Sequence, residues 1–201
     1  MRFFVIGANG RTGTQVIDLA LARGHQVTAF VRDKGRIARA HERLTVEAGD
    51  ALDTNALAIA LPGHDAVVSA LGPKSLAKTT LVRDGAAAMV AAMTRAGLRR
   101  LLFVSAATLF DLSFPASIAK WILRNVAADT AAAEAIIAAS NLEWTFARPP
   151  RLVPGESAAY RTAIAAQPPR AWSMTFRATA AFLVDTAEQH AHVREIVGLA
   201  S

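Results

Sequence analysis

Two groups of residues in this 201-residue chain have types and spacing suited to chemistry. The first is Gly7-Ala8-Asn9-Gly10-Arg11-Thr12-Gly13, in which glycine recurs every third residue directly after an apolar run. Such a loop serves a dinucleotide: Gly7 permits a tight turn, Gly10 lets the backbone approach a pyrophosphate, and Gly13 lets the next helix lie close to the sheet. Asn9, Arg11 and Thr12 stand in the loop and at the helix start, where free amides and a partial positive charge favour anions. A plain strand-to-helix turn would also use glycines. The loop, however, sits inside a strand, loop, helix and strand unit of roughly thirty residues, the context a nucleotide site requires.

The second group ends the following strand, where Val27-Thr28-Ala29-Phe30-Val31 runs into Arg32, with Arg36 one helical turn later. A carboxylate at this point accepts from the ribose hydroxyl of NAD, whereas an arginine accommodates the 2′-phosphate of NADP. The paired donors of a guanidinium suit a phosphate, so NADP(H) is the preferred cofactor. Asp33 dissents, since an inward-pointing carboxylate would serve a hydroxyl, and the bland alternative is a solvated arginine-rich face.

Other constellations fail. The chain has no cysteine, which excludes a thiol nucleophile, a disulfide framework and a thiolate zinc site. It has no Gly-x-Ser-x-Gly elbow for a hydrolase. His190 and His192 lie two apart with no nearby partner, so no metal is expected.

The elements that must position these residues alternate. Apolar runs at residues 2–6, 26–31, 43–47, 65–71, 99–105 and 143–147 read as strands. Between them, residues 12–23, 55–60, 79–96 and 117–140 read as helices, the last interrupted near 125–129, where Asp129 would cap a second segment. Strands that are apolar throughout, alternating with helices, indicate a parallel sheet covered on both faces, a doubly wound α/β fold. Beyond Arg151 the pattern weakens into a loop-rich stretch at 154–169, a strand at 172–176, a helix at 179–189 and a last strand at 194–199. Residues 1–201 are expected to form one nucleotide-binding domain, with 151–201 as a small lobe on the substrate side.

Composition bounds the partners. With 53% hydrophobic residues, 19% charged ones and a mean hydropathy of +0.29, the chain is too apolar for global disorder. The formal charge is +6, but Arg32, Lys34, Arg36, Arg39 and Arg43, opposed by Asp33 and Glu42, hold about half of it in a patch without aromatic residues. That favours a small anion over nucleic acid. Residues 1–6 are too short for a signal-peptide core, and the apolar stretches at 86–92 and 101–110 fall short of the ~20 residues that span a bilayer. The expectation is a cytoplasmic protein without membrane association, a monomer or weak dimer.

The glycine loop, Val31-Arg32-Asp33, Ala48-Gly49-Asp50, Ser69-Ala70-Leu71-Gly72, Val104-Ser105-Ala106 and Ala147-Arg148-Pro149-Pro150 occur in the order seen in atypical short-chain dehydrogenase/reductases. Within that Rossmann-fold group the chain resembles the NAD(P)H-binding, NmrA-like branch that includes biliverdin-IXβ reductase/flavin reductase. The resemblance implies that Asp50, Ala51 and Leu52 flank the adenine, that Ala70, Leu71 and Gly72 line the cofactor path, and that Ser105 faces the nicotinamide as the catalytic contact. It also implies that Arg148 and Pro149 close around that end. Asp50 as a turn residue, and Ser105 as a hydroxyl bonded to its own sheet, are the structural alternatives.

The departures shape the chemistry. The larger superfamily pairs tyrosine with lysine four residues on, so that the phenol acts as general acid or base. Here the one tyrosine, Tyr160, is followed by Ile164, Lys120 is preceded by Ala116, and Thr130 stands four before Glu134 where many relatives place a basic residue. That removes ordinary alcohol–ketone chemistry. Hydride transfer to a flat conjugated acceptor needs mainly proximity and an apolar cleft. Leu109, Phe110, Phe114, Trp121 and Trp172 are candidates to line it, although aromatic residues more often serve as packing. Arg151 stands where biliverdin-type relatives can carry a histidine and, with Arg124 or Arg170, would hold substrate phosphate or propionates. The expected function is NADPH-dependent reduction of a flavin, biliverdin-like or quinone-like acceptor; the alternative is a non-catalytic NADP(H)-binding sensor.

Overall fold

In a computed structural model of the protein, residues 1–37, 39–73, 75–110 and 123–201 are described. The central sheet has eight strands. β1 (Arg2–Ile6), β2 (Gln26–Val31), β3 (Leu44–Ala48), β4 (Ala66–Ser69), β5 (Arg100–Val104) and β6 (Glu143–Arg148) are parallel in the order β3-β2-β1-β4-β5-β6. β10 (Glu195–Ala200) joins parallel to β6, and β8 (Arg161–Ile164) closes that edge antiparallel to β10. A separate parallel pair links β7 (Arg151–Val153) to β9 (Ser173–Thr175).

The strands are apolar throughout because both faces are covered. On β1, Phe3 and Val5 point into one core with α1 (Arg11–Ala22) and α5 (Phe176–Glu188), and Phe4 and Ile6 into the other. That second core is formed with α2 (Thr54–Ala60), α3 (Leu81–Ala96) and α4 (Arg124–Ala138). All four of these β1 side chains are at most 1% exposed. α3 stops at Gly97, whose φ of +68° lets the Leu98 amide reach back to the Met93 carbonyl at 3.0 Å. α5 starts where the Thr175 hydroxyl accepts from the Ala178 amide at 2.9 Å.

The doubly wound parallel fold matches the expectation, with three local differences. α4 runs without a break from Arg124 to Ala138, and Asp129 caps α3 instead of a second segment of its own helix. The start of the expected helix at 117–122 lies outside the described residues. The stretch at 154–169, expected as loop, contains β8, an edge strand whose mostly exposed residues leave no apolar run to read. Of residues 151–201, α5, β8 and β10 belong to the main layers, so only the segments around β7 and β9 stand apart.

Charged groups hold α5 to the front of the chain. Arg23 at the end of α1 bonds Asp185 at 2.6 Å and Glu188 at 2.7 Å, Tyr160 donates to Asp185 at 2.6 Å, and His25 meets Glu188 at 2.6 Å. At the start of β5, the buried Arg100 donates to the Glu143 and Ala191 carbonyls, and burial pushes its guanidinium down to about 10. Among the described residues no helix is long and apolar enough to cross a membrane.

Candidate dinucleotide site

The sheet order reverses between β1 and β4, and the loops after these strands meet there. Gly7 has φ +76°, and a Cβ on it would come 2.5 Å from the Ala70 carbonyl oxygen. A Cβ on Gly13 would overlap the Gly7 carbonyl, so α1 lies directly against the turn. Gly10 is the N-cap of α1, with no side-chain cap and no acidic residue in the first turn. The amides that open α1 are therefore left to a ligand or to water. Arg11 lies with its guanidinium carbon 4.5 Å from the centre of the Phe176 ring, drawn toward α5, while Thr12 is buried.

Beside this turn opens a cleft of about 430 Å³. Gly7 and Asn9 form one wall, Phe30 to Asp33 and Arg36 a second, Gly49 to Leu52 a third, and Leu81 the far rim. The Asp33 carboxylate accepts from the Gly35 amide at 3.0 Å and sits 3.6 Å from Arg36, so it is tied to its own turn. Arg32 is exposed and has no carboxylate within ion-pair distance among the described residues. Asp50 lines the cleft and also makes the turn, accepting from the Leu52 amide at 3.1 Å. Four lining residues went unread as site residues: Phe30, Val31, Leu81 and Gly49, where any Cβ would overlap the Phe30 ring. The signal available was Ala48-Gly49-Asp50 itself, a glycine at a strand end.

Past the turn, Ala70 donates its amide to the Ile6 carbonyl at 2.9 Å, and Leu71 packs toward Gly85 of α3. Gly72 stands open, since a Cβ on it would meet nothing within 4 Å. At the end of β5 the Ser105 hydroxyl donates to Glu134 Oε1 at 2.5 Å, and its amide donates to the Ala147 carbonyl at 2.8 Å. Arg148, expected to close around this end, gives Glu134 a two-pronged ion pair, Nε to Oε1 at 3.0 Å and Nη2 to Oε2 at 2.5 Å. Its guanidinium carbon is also 4.7 Å from the centre of the Phe110 ring. Ser105, Glu134, Arg148 and Phe110 are each at most 9% exposed. Pro149 follows, its carbonyl accepting from the Ala107 amide at 2.9 Å.

The remaining candidates scatter. Arg151 opens β7 opposite Ser173, which brings it near Trp172, 81% exposed; Arg124 and Arg170 are exposed elsewhere, and Leu109 is half-buried. Phe114 and Trp121, with Lys120 and Ala116, lie outside the described residues. Tyr160 is on the α5 side of the sheet, where burial and its bond to Asp185 push the phenol up. His190 sits 3.3 Å from Glu143 and His192 2.7 Å from Glu195. Among the described residues no three histidine or acidic side chains are grouped to hold a metal.

A cradle that any Cβ would fill, an uncapped helix start, and an arginine at the rim of a cleft can together hold an anionic ligand with a flat end. A family of NAD(P)H-binding proteins matches residues 7–190. The chain is 37% identical over 119 residues to a 3-diazoavenalumate denitrifying reductase from a Streptomyces species, over 53% of this chain and 38% of that protein. It thus spans well under half the length of that relative. A short-chain dehydrogenase/reductase from Veillonella parvula, solved in complex with NADP, superposes with a TM-score of 0.83 at 24% identity over 100% of this chain and 94% of that one. An anaerobilin reductase from Escherichia coli O157:H7 shares the fold at a TM-score of 0.82 and 20% identity, over 100% and 97% of the two chains. Glycine cradle, cleft and matched family agree, and the chain belongs to the NAD(P)H-binding family of Rossmann-fold proteins.

Proposed function

We propose that the protein is an NADPH-dependent reductase that passes hydride to a flavin or another flat conjugated acceptor, biliverdin-like or quinone-like. In this reading Arg32 and Arg36 hold the 2′-phosphate, the Asp50-Ala51-Leu52 turn flanks the adenine, and the amides of Arg11 and Thr12 meet the pyrophosphate. Ala70, Leu71 and Gly72 carry the path toward Ser105, Arg148 and Pro149. Bound NADPH supplies the hydride. The chain's own residues bind and orient the two partners and exclude water from the ring faces.

The observation that carries this reading is that neither the Ser105 hydroxyl nor the chain's tyrosine is free to donate a proton at the nicotinamide end. The Ser105 proton is committed to Glu134, and the chain's one tyrosine is bound to Asp185 on the α5 side of the sheet. A carbonyl substrate needs a proton as its oxygen gains charge, whereas a conjugated acceptor can spread that charge and take its proton from water. The denitrifying reductase among the relatives supports reduction over epimerisation. Assay of the purified protein with NADPH and FMN, a benzoquinone, biliverdin or an aliphatic ketone tests the reading. Oxidation of NADPH by at least one conjugated acceptor and none by the ketone is expected; turnover of the ketone alone overturns it.

A further inference from the structure

Glu134 is a buried acid on α4 for which hydride transfer has no use, yet it touches the two residues placed at the nicotinamide end. Oε1 receives both the Ser105 hydroxyl and Arg148 Nε, and Oε2 receives Arg148 Nη2. With both oxygens facing guanidinium donors, the carboxyl carries no proton toward them, and the only hydrogen on Ser105 Oγ points at Glu134. What Ser105 can still offer is a lone pair. Its place follows from the strand order: the cleft beside Arg32 and Asp50 is over β2 and β3, so a dinucleotide crossing at Gly7 carries its second half over the ends of β4 and β5.

We propose that Glu134 is a positioning residue that fixes Ser105 as a hydrogen-bond acceptor, so that this end of the site recognises an N–H donor. The donor is the carboxamide NH2 of the nicotinamide or an N–H of the reducible acceptor. This rests on the dinucleotide reading given above. A lysine in place of Glu134 would leave the hydroxyl free to donate, whereas the carboxylate removes that option. Arg148 balances the buried charge, and Phe110 covers the guanidinium, so the pair persists without water.

The test is a comparison of affinities, which does not depend on turnover. NADP+ and its 3-acetylpyridine analogue differ only in an NH2 replaced by a methyl group, and their dissociation constants are measured by calorimetry for the wild type, Ser105→Ala and Glu134→Asp. Ser105→Ala leaves the Glu134–Arg148 pair intact, and Glu134→Asp keeps the charge while withdrawing it from Ser105 by one methylene. A preference of about fivefold for NADP+ is expected in the wild type, the worth of one hydrogen bond, falling to near unity in both variants. If the wild type shows no preference, the N–H belongs to the acceptor. Binding of riboflavin against N3-methylriboflavin to the NADP+-loaded protein must then show the same pattern. Ratios that are equal across all three proteins in both arms overturn the proposal. Failure to bind either dinucleotide overturns the cofactor reading instead, and normal binding without NADPH oxidation overturns only the reductase reading.

Discussion

Asp129, in the second turn of α4, accepts hydrogen bonds from the Val82 and Arg83 amides at 3.0 Å each and so caps α3, a helix other than its own. α3 lacks a side-chain cap from Thr80, whose hydroxyl donates to Asp84 at 2.6 Å instead. The same α4 carries Glu134, and the capped end of α3 carries Leu81 on the cleft rim. Asp129→Ala leaves the buried Val82 amide and the half-buried Arg83 amide without this partner and is expected to cost about 2 kcal/mol in urea unfolding, with Asp129→Asn recovering part of it. An unchanged unfolding midpoint for the alanine variant would show that the cap carries no weight.

Arg32 and Arg36 stand on the same rim, but among the described residues only Arg36 of the two has a carboxylate neighbour, Asp33 at 3.6 Å. Arg32→Ala should therefore weaken NADPH by about tenfold or more while leaving NADH nearly unchanged, as the loss of one charge-assisted contact requires. Arg36→Ala should do the same to a smaller degree. Fluorescence titration of both dinucleotides checks this, and equal losses for NADPH and NADH would return the ribose hydroxyl and Asp33 to consideration.

The glycines around the dinucleotide turn are not equivalent. A Cβ on Gly13 overlaps the Gly7 carbonyl, whereas a Cβ on Gly72 meets nothing within 4 Å. Gly13→Ala is expected to lower stability by about 2 kcal/mol through overpacking and to abolish dinucleotide binding, with Gly72→Ala close to wild type in thermal melts.

Tyr160 gives a signed pH effect. Burial, then its bond to Asp185, raises the phenol above its ordinary value of 10, so the folded state holds the proton more tightly than the unfolded chain does. That stability is fully present below about pH 10 and is lost as pH rises beyond it. Arg100 works the other way over the same range, because its lowered value makes the folded state gain as pH rises above about 10. The Arg100 contribution is common to both proteins, so the comparison of wild type with Tyr160→Phe isolates the phenol. The fall in melting temperature between about pH 8 and about pH 11 should be smaller in the variant.

Where local chemistry decides structure, the sequence was legible. The glycine loop, the apolar β1 and β2 and the Arg32 ending lie within one stretch of the chain, and a cleft lined by Gly7, Asn9 and Arg32 opens there. The cluster at the other end was not legible, because Ser105 and Glu134 are 29 residues apart and meet only when α4 packs on the sheet. The carboxylate partner of Arg148 was hidden too, because nothing in its own strand shows that a helix supplies it. Asp129 misled for the same reason: a capping residue was visible, but the amide it caps, that of Val82 in α3, lies 47 residues earlier in the chain.

In the proposed function, this chain moves hydride from NADPH to a conjugated acceptor without donating a proton from a side chain. Mixing the protein–NADPH complex anaerobically with FMN, biliverdin or a benzoquinone, and following NADPH absorbance together with the acceptor spectrum, tests it in a single turnover. The account predicts loss of NADPH absorbance matched one for one by reduced acceptor. NADPH that binds tightly yet stays unoxidised with every acceptor would contradict it.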